Sequence, residues 1–190
     1  TVYLRHSPED VAYIGVLSPG LWKHIGLDKK VLAAYDDRIV YITENQEISP
    51  GFHLLTDIPD VYPKPSGDQR LMMKRGKEKL PDTFEHELVT VFEEEQGLVI
   101  LTGCAHNGVL NMIGAAQKAL PNKPIRAVVG GFHLNREDKT TVREVGEELL
   151  KMNIPAFYTG HCTGDESIGV LEDVLGDRLQ RLFTGMVMEF

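Results

Sequence analysis

Cysteine is nearly absent. Cys104 and Cys162 are the only two in 190 residues, too few for a disulfide framework and in keeping with a reducing, cytoplasmic setting. No apolar run approaches the roughly 20 residues of a membrane-spanning helix, and the first residues lack the pattern of a signal peptide. A basic surface is missing too. Twenty lysines and arginines stand against 28 aspartates and glutamates, a net charge of −8, with a pI near 5.4. That balance argues against nucleic acid or an anionic membrane as partner. An anionic small substrate stays open, because a helix terminus or a metal can hold one locally. The first residue is Thr1 rather than methionine, and Val2-Tyr3-Leu4 already reads as a strand. The expectation is that chain upstream has been removed.

What remains is the composition of an ordinary globular protein, 42% hydrophobic and 25% charged, and the length is ample for one core. The reading is a single partial domain over residues 1–190. Thr1 to Leu4 predicts a strand, and Ser7 followed by Pro8 predicts a helix start. Arg38 to Thr43 is rich in β-branched residues and predicts a strand, as does Gly51 to Thr56. Residues 58–81 carry four prolines, two glycines and the basic stretch Met73-Lys74-Arg75-Gly76-Lys77, which predicts a long loop or flap.

From Glu87 the pattern sharpens. Glu87 to Glu93 and Leu98 to Leu101 flank Glu94-Glu95-Gln96-Gly97 as a hairpin. Val109, Met112, Ile113, Ala116 and Leu120 follow helical spacing, with Asn107 placed to cap the helix and Pro121 to stop it. After a strand from Ile125 to Val129, a second helix carries Val142, Val145, Leu149 and Met152 on one stripe, with Thr141 and Glu144 spaced as a capping box. A strand from Ile154 to Tyr158 precedes a third helix, with Ile168, Leu171, Val174 and Leu175 inward and Gly176 ending it. A last strand from Arg181 to Met188 completes the order β-α-β-α-β-α-β.

Three of these strands end alike, in a glycine-bearing loop with a histidine. Leu98 to Leu101 runs into Thr102-Gly103-Cys104-Ala105-His106, Ala127 to Val129 into Gly130-Gly131-Phe132-His133, and Ala156 to Tyr158 into Thr159-Gly160-His161-Cys162. The histidines are spaced 27 and 28 residues apart, from 106 to 133 and from 133 to 161. Strands joined by crossover helices lie parallel, so their C-terminal ends gather along one edge, where open α/β folds place ligands. Imidazoles converging there point to a metal. Gly108 and Gly164 each stand just before a helix, which adds N–H groups suited to an anion beside that metal.

The segments Gly97 to Gly108, Val129-Gly130-Gly131-Phe132-His133-Leu134 and Thr159-Gly160-His161-Cys162-Thr163-Gly164 resemble the metallo-β-lactamase fold superfamily. The likeness is greatest to its branch of 7,8-dihydropterin-6-methyl-4-(β-D-ribofuranosyl)aminobenzene 5′-phosphate synthases and related hydrolases. It is specific over about residues 82–165. The resemblance implies an α/β fold, the C-terminal two-thirds of an αββα sandwich, with one or two divalent metals, zinc first and iron or manganese as alternatives. It puts His106 on a ligand of the first metal and His161 on a ligand of the second. His133 either replaces the family's bridging aspartate or serves the substrate or the ligands. His86, in a stretch similar to a histidine-glutamate segment of the branch, lines the pocket in this reading. Asn107, Gly108, Cys162, Thr163 and Gly164 contact the substrate or support the ligands. Cys162 is expected to point away from His161, as neighbours in an extended segment do, and Cys104 to be a buried packing cysteine.

The family's main ligand cluster, H-x-H-x-D-H, is not in the sequence, which has no H-x-H at all. The expectation is therefore a metal-dependent hydrolase or group-transfer enzyme in its intact form, acting on a phosphorylated or otherwise anionic small substrate and inactive as these 190 residues. The upstream part of its own chain, or a second copy, is the expected protein partner. The competing expectation is a non-catalytic fragment or degenerate member that serves as a binding or assembly module. A third is a closed structural zinc site of Cys104, His106, His133 and His161.

Overall fold

A computed structural model describes residues 1–5 and 11–190; the expected helix start at Ser7-Pro8 lies outside the described residues. In chain order the first elements are β1 (Val2–Arg5), β2 (Val11–Ser18), β3 (Leu21–His24), α1 (Lys29–Ala34), β4 (Ile39–Ile42), β5 (Gln46–Ser49), β6 (Phe52–Leu55), β7 (Leu71–Arg75) and β8 (Glu78–Pro81). Then come β9 (Val89–Glu94), β10 (Gly97–Leu101), α2 (Val109–Ala119), β11 (Ile125–Gly130), α3 (Lys139–Lys151), β12 (Ala156–Thr159), α4 (Asp165–Leu175) and β13 (Leu179–Arg181). The chain divides into two compact units, one of Thr1–Thr43 with Asp68–His86, the other of Glu44–Gly67 with Glu87–Phe190.

The larger unit is built on a seven-stranded sheet of order β13-β12-β11-β10-β9-β6-β5. From β10 to β13 the strands are parallel, and on the other side of β10 they are antiparallel. Alternation along the central strands sorts side chains between two faces. Leu98, Ile100, Val128 and Phe157 join the apolar sides of α2, α3 and α4 in one core. Val99, Ala127, Val129 and Tyr158 form a smaller core on the opposite face, covered by Leu182, Met186, Met188 and Phe190 of the C-terminal segment. That segment takes the place of the last strand expected over residues 181–188. Pairing with β12 stops at Arg181, and the chain then turns through Gly185, where φ is +88°, so its residues cover the sheet rather than extend it.

Two helix starts differ from expectation. The N-cap of α3 is Asp138, whose carboxylate accepts from Thr140 N at 2.9 Å and Thr141 N at 3.0 Å, in place of a capping box of Thr141 and Glu144. At α2 the cap position falls on Gly108, with no side-chain bond. Asn107 does not cap it because its amide is drawn to a carboxylate twenty residues upstream.

In the smaller unit, β1 and β4 pair in parallel, while β3-β2-β7-β8 form an antiparallel sheet. Pro19-Gly20 turns β2 into β3, with φ +79° at Gly20. The segment read as loop or flap over residues 58–81 divides. Residues 58–65 contain no helix or strand, whereas Leu71–Arg75 and Glu78–Pro81 form a hairpin paired to β2. Lys74 of its basic stretch and Lys79 just beyond are used for packing: their ammonium groups lie 4.8 and 5.3 Å from the centre of the Trp22 ring.

Candidate metal centre

The C-terminal ends of β10, β11 and β12 carry three loops stitched to one another. Thr102 N donates to Val129 O at 2.9 Å and Gly131 N to Gly103 O at 2.9 Å. Thr159 Oγ1 donates to Gly130 O at 2.8 Å, and Phe132 N donates to Thr163 Oγ1 at 2.9 Å. Glycine is required at the tightest crossing. A Cβ on Gly130, where φ is +145°, would lie 2.2 Å from Thr102 Oγ1 and 2.4 Å from Thr102 O. The loops are also bent where side chains resist bending. Of the six non-glycine residues with positive φ among the described residues, three are Ala105, His133 and His161. Each such residue costs on the order of 1–3 kcal/mol, and such strain gathers at sites that hold ligands.

These bends bring His106 and His133 together, with ring centroids 4.2 Å apart at 49°. The backbone around His106 is fixed from β9's side by Glu87. Its carboxylate accepts from His106 N at 2.8 Å, Asn107 N at 2.8 Å and Asn107 Nδ2 at 2.7 Å. The sequence pattern places Glu87 at the start of a predicted strand and gives no sign of this role.

Beside the two imidazoles lie both cysteines. One ligand atom each of Cys104, His133 and Cys162 all fall within 4.8 Å of one another. Cys162 Sγ also donates to Cys104 O at 3.5 Å. The Cys104 thiol is pulled far below its ordinary value by hydrogen bonds from Cys162, then from the His106 and His133 rings. Cys162 is pushed up in turn, by the Cys104 thiolate first and by burial second. One negative charge is thus held between two sulfurs beside two imidazoles. Imidazole with thiolate is a donor set suited to zinc, iron or copper, so the residues fit the divalent metal that the resemblance implies.

The structure places the other candidates as follows. His161 is exposed and lines a groove of about 640 Å³ together with Gly103, Cys104, Gly130, Gly131 and Phe183. That volume is within the range of small-molecule sites. Gly108 and Gly164 open α2 and α4 with φ +87° and +80° and no side-chain cap. Asn107 and Thr163 are buried and engaged within the protein, Asn107 by Glu87 and Thr163 by Phe132 N and Thr159. His86 belongs to the smaller unit, where its ring lies 4.5 Å from that of Tyr13 and its Nδ1 lies 3.8 Å from Asp82.

No family model matches the chain. In sequence it is 30% identical over 109 residues to a 7,8-dihydropterin-6-methyl-4-(beta-D-ribofuranosyl)-aminobenzene-5'-phosphate synthase of Methanocaldococcus jannaschii, a stretch that is 57% of this chain and 37% of that protein. The chain thus matches well under two-thirds of that relative's length. In structure it is similar to a crystal structure described as a metal-dependent hydrolase of the beta-lactamase superfamily. The TM-score is 0.84 at 23% identity, over 99% of this chain and 70% of the other. The parallel strand ends, their bent histidine loops and these two likenesses lead to one statement: the chain has the metallo-β-lactamase fold and is similar in sequence to that superfamily's dihydropterin phosphate synthase branch.

Proposed function

We propose that the whole protein is a metal-dependent hydrolase or group-transfer enzyme acting on an anionic, phosphorylated small substrate, and that His106, His161 and His133 belong to its metal centre. The observation that carries this reading is the convergence of His106 and His133 at the C-terminal edge of a parallel sheet, their rings 4.2 Å apart, on backbone bent at a cost. A divalent metal, zinc in this proposal, would supply Lewis-acid polarisation and lower the pKa of a water there. The chain's own residues supply position. Glu87 holds the His106 loop, the Gly130 crossing holds the His133 loop, and the open groove beside His161 admits substrate. The starts of α2 and α4 at Gly108 and Gly164 favour a negatively charged group near the same edge.

The relative's name supports a group transfer involving a dihydropterin, and the solved structure's description supports hydrolysis. Both fit an anionic substrate and a cytoplasmic enzyme. Among the described residues no helix is long and apolar enough to cross a membrane. The competing reading, a non-catalytic binding or assembly module, draws on the absence of any H-x-H from the sequence.

The test uses the full gene product loaded in turn with zinc, manganese and iron. It is assayed for cleavage of nitrophenyl phosphoesters and for consumption of a reduced pterin. Turnover that falls by more than about 100-fold in His106→Ala and His161→Ala supports the proposal, since such losses are the size of a lost electrostatic contact in the transition state. Turnover unchanged by both substitutions, or absent with every metal and substrate class, overturns it. The 190-residue chain alone is expected to be inactive, because the H-x-H-x-D-H ligand cluster of the family it resembles is not in its sequence.

A further inference from the structure

We infer that Cys104, His133 and Cys162 form a metal site of their own, for a thiophilic cation such as zinc, in which both cysteines are ligands. The site shares His133 with the proposed function and does not depend on His106 or His161. Its three donor atoms lie within 4.8 Å of one another. A tetrahedral ion with sulfur at about 2.3 Å and nitrogen at about 2.0 Å needs donors roughly 3.5–3.8 Å apart. Closing from the present spacing takes about an ångström of movement or less, which side-chain rotation supplies.

The backbone is shaped to admit these sulfurs. Cys162 Sγ occupies the space that a side chain on Gly131 would fill, since a Cβ there would lie 2.5 Å from the sulfur and 3.1 Å from Gly103 O. Cys162 follows His161, whose φ of +52° opens a short 3-10 turn over His161–Thr163. That turn sends the cysteine inward while His161 stays at the groove. Two thiolates and one imidazole prefer zinc, cobalt or copper over manganese, magnesium or calcium. The three-ligand set leaves a fourth position open, as catalytic rather than structural zinc sites do. The metal would lie beside the groove that Cys104 and His161 line.

Cobalt(II) titration of the reduced 190-residue chain tests this, because cobalt bound to thiolate shows an intense sulfur-to-metal charge-transfer band in the near ultraviolet. The expected result is one equivalent of cobalt with that band, displaced by zinc and untouched by manganese. Affinity should fall by more than about tenfold in Cys104→Ser and in Cys162→Ser, at least the loss that follows removal of a ligand's supporting partner. The band should survive His161→Ala. A second measurement needs no variant: cobalt should protect both cysteines of the wild-type chain from a thiol reagent. Cobalt bound without a charge-transfer band, or thiols equally reactive with and without the metal, overturns the site. If turnover of the full gene product depends on His106 and His161 while the band is absent, the thiolate site falls and the proposed function stands. If the band is present and turnover is not, the outcome is reversed.

Discussion

Removing the Glu87 carboxylate should loosen the His106 loop, and the size of the effect follows from its three bonds. Glu87 accepts two backbone N–H groups and one side-chain amide, all at 2.7–2.8 Å, and hydrogen bonds to a charged acceptor contribute about 1.5–3 kcal/mol each. Glu87 is half-buried, which puts each at the low end. In Glu87→Gln the amide oxygen keeps two donors, while its NH₂ group faces the third, a loss of about 2 kcal/mol. In Glu87→Ala all three donors lose their partner. Asn107 is buried, so its N–H cannot turn fully to water, and the loss rises to about 4 kcal/mol. For a chain of this length 1 kcal/mol moves Tm by roughly 2–4 °C. The glutamine variant should therefore melt about 4–8 °C lower and the alanine variant about 8–16 °C lower by circular dichroism. In the full gene product, affinity for the metal held by His106, as distinct from an ion bound by the two cysteines, should fall in the same order, because both variants free the backbone that aims His106. An alanine variant that melts with the wild type, or one whose full gene product binds the His106-held metal equally well, would refute the claim that Glu87 sets this loop.

Three further outcomes follow from the same loops. Asn111 is buried and makes four bonds, accepting from Val61 N and Tyr62 N and donating to Tyr62 O and Asn107 O; Asn111→Ala should cost about 3 kcal/mol in urea unfolding, since it strands backbone groups of two segments. Gly130→Ala should cost at least as much, because the new Cβ would meet Thr102 O at 2.4 Å and backbone cannot step aside; a variant of wild-type stability would show that the crossing is looser than it looks. In metal-free protein the depressed Cys104 thiol should be alkylated at nearly the same rate from about pH 6 to 8, where an ordinary thiol gains roughly 75-fold in thiolate. By linkage, a folded-state value below the unfolded one gives stability that is complete above the ordinary thiol range and is lost as pH falls towards the folded value. The stability gap between wild type and Cys104→Ser should accordingly widen from about pH 6 to pH 8.5 and narrow again above it, where Cys162 ionises in the unfolded chain but is held protonated beside the Cys104 thiolate in the folded one.

Legibility in the sequence followed burial. Residues 87–175 fold around a sheet buried on both faces, so periodicity had to be honoured there. The helices at Val109–Ala119, Lys139–Lys151 and Asp165–Leu175 fall where the apolar stripes put them. The smaller unit left weaker marks. β3 and β8 are exposed along their whole length, so nothing selects one face, and β2 carries Val-Ala-Tyr-Ile-Gly-Val-Leu without clean alternation. Hairpins such as β7–β8 are held by pairing to a neighbour rather than by their own pattern, and a basic, proline-flanked stretch then reads as loop. The α2 cap shows the same limit from another side. Asn107 has the right chemistry and the right position, but Glu87 lies twenty residues away in sequence and 2.7 Å away in space. A charged acceptor with three donors to gather outweighs a single cap bond.

The place of Cys162 turns on one backbone dihedral. In an extended segment adjacent side chains oppose each other, so a ligand at His161 would send Cys162 elsewhere. His161 instead takes φ +52° and begins a 3-10 turn, where neighbours diverge by about a third of a turn rather than half. The sulfur then falls next to Cys104 and His133. Histidine in a left-handed conformation is uncommon, although it is enriched there over most residues, and nothing local demands it. What demands it is the crossing of loops: a Cβ on Gly160 would lie 3.3 Å from Leu182 Cβ, and the bare Gly131 leaves a gap that the inward sulfur fills. The chain therefore encodes the position of Cys162 through two glycines, each just past the end of a different strand. That dependence makes Gly131→Ala a sharper probe of the thiolate cluster than substitution of either cysteine. It removes no donor atom, and it should still expel the Cys162 sulfur and abolish the coupling that lowers Cys104. If Cys104 in Gly131→Ala kept its wild-type alkylation profile, the cluster would not be held by this packing.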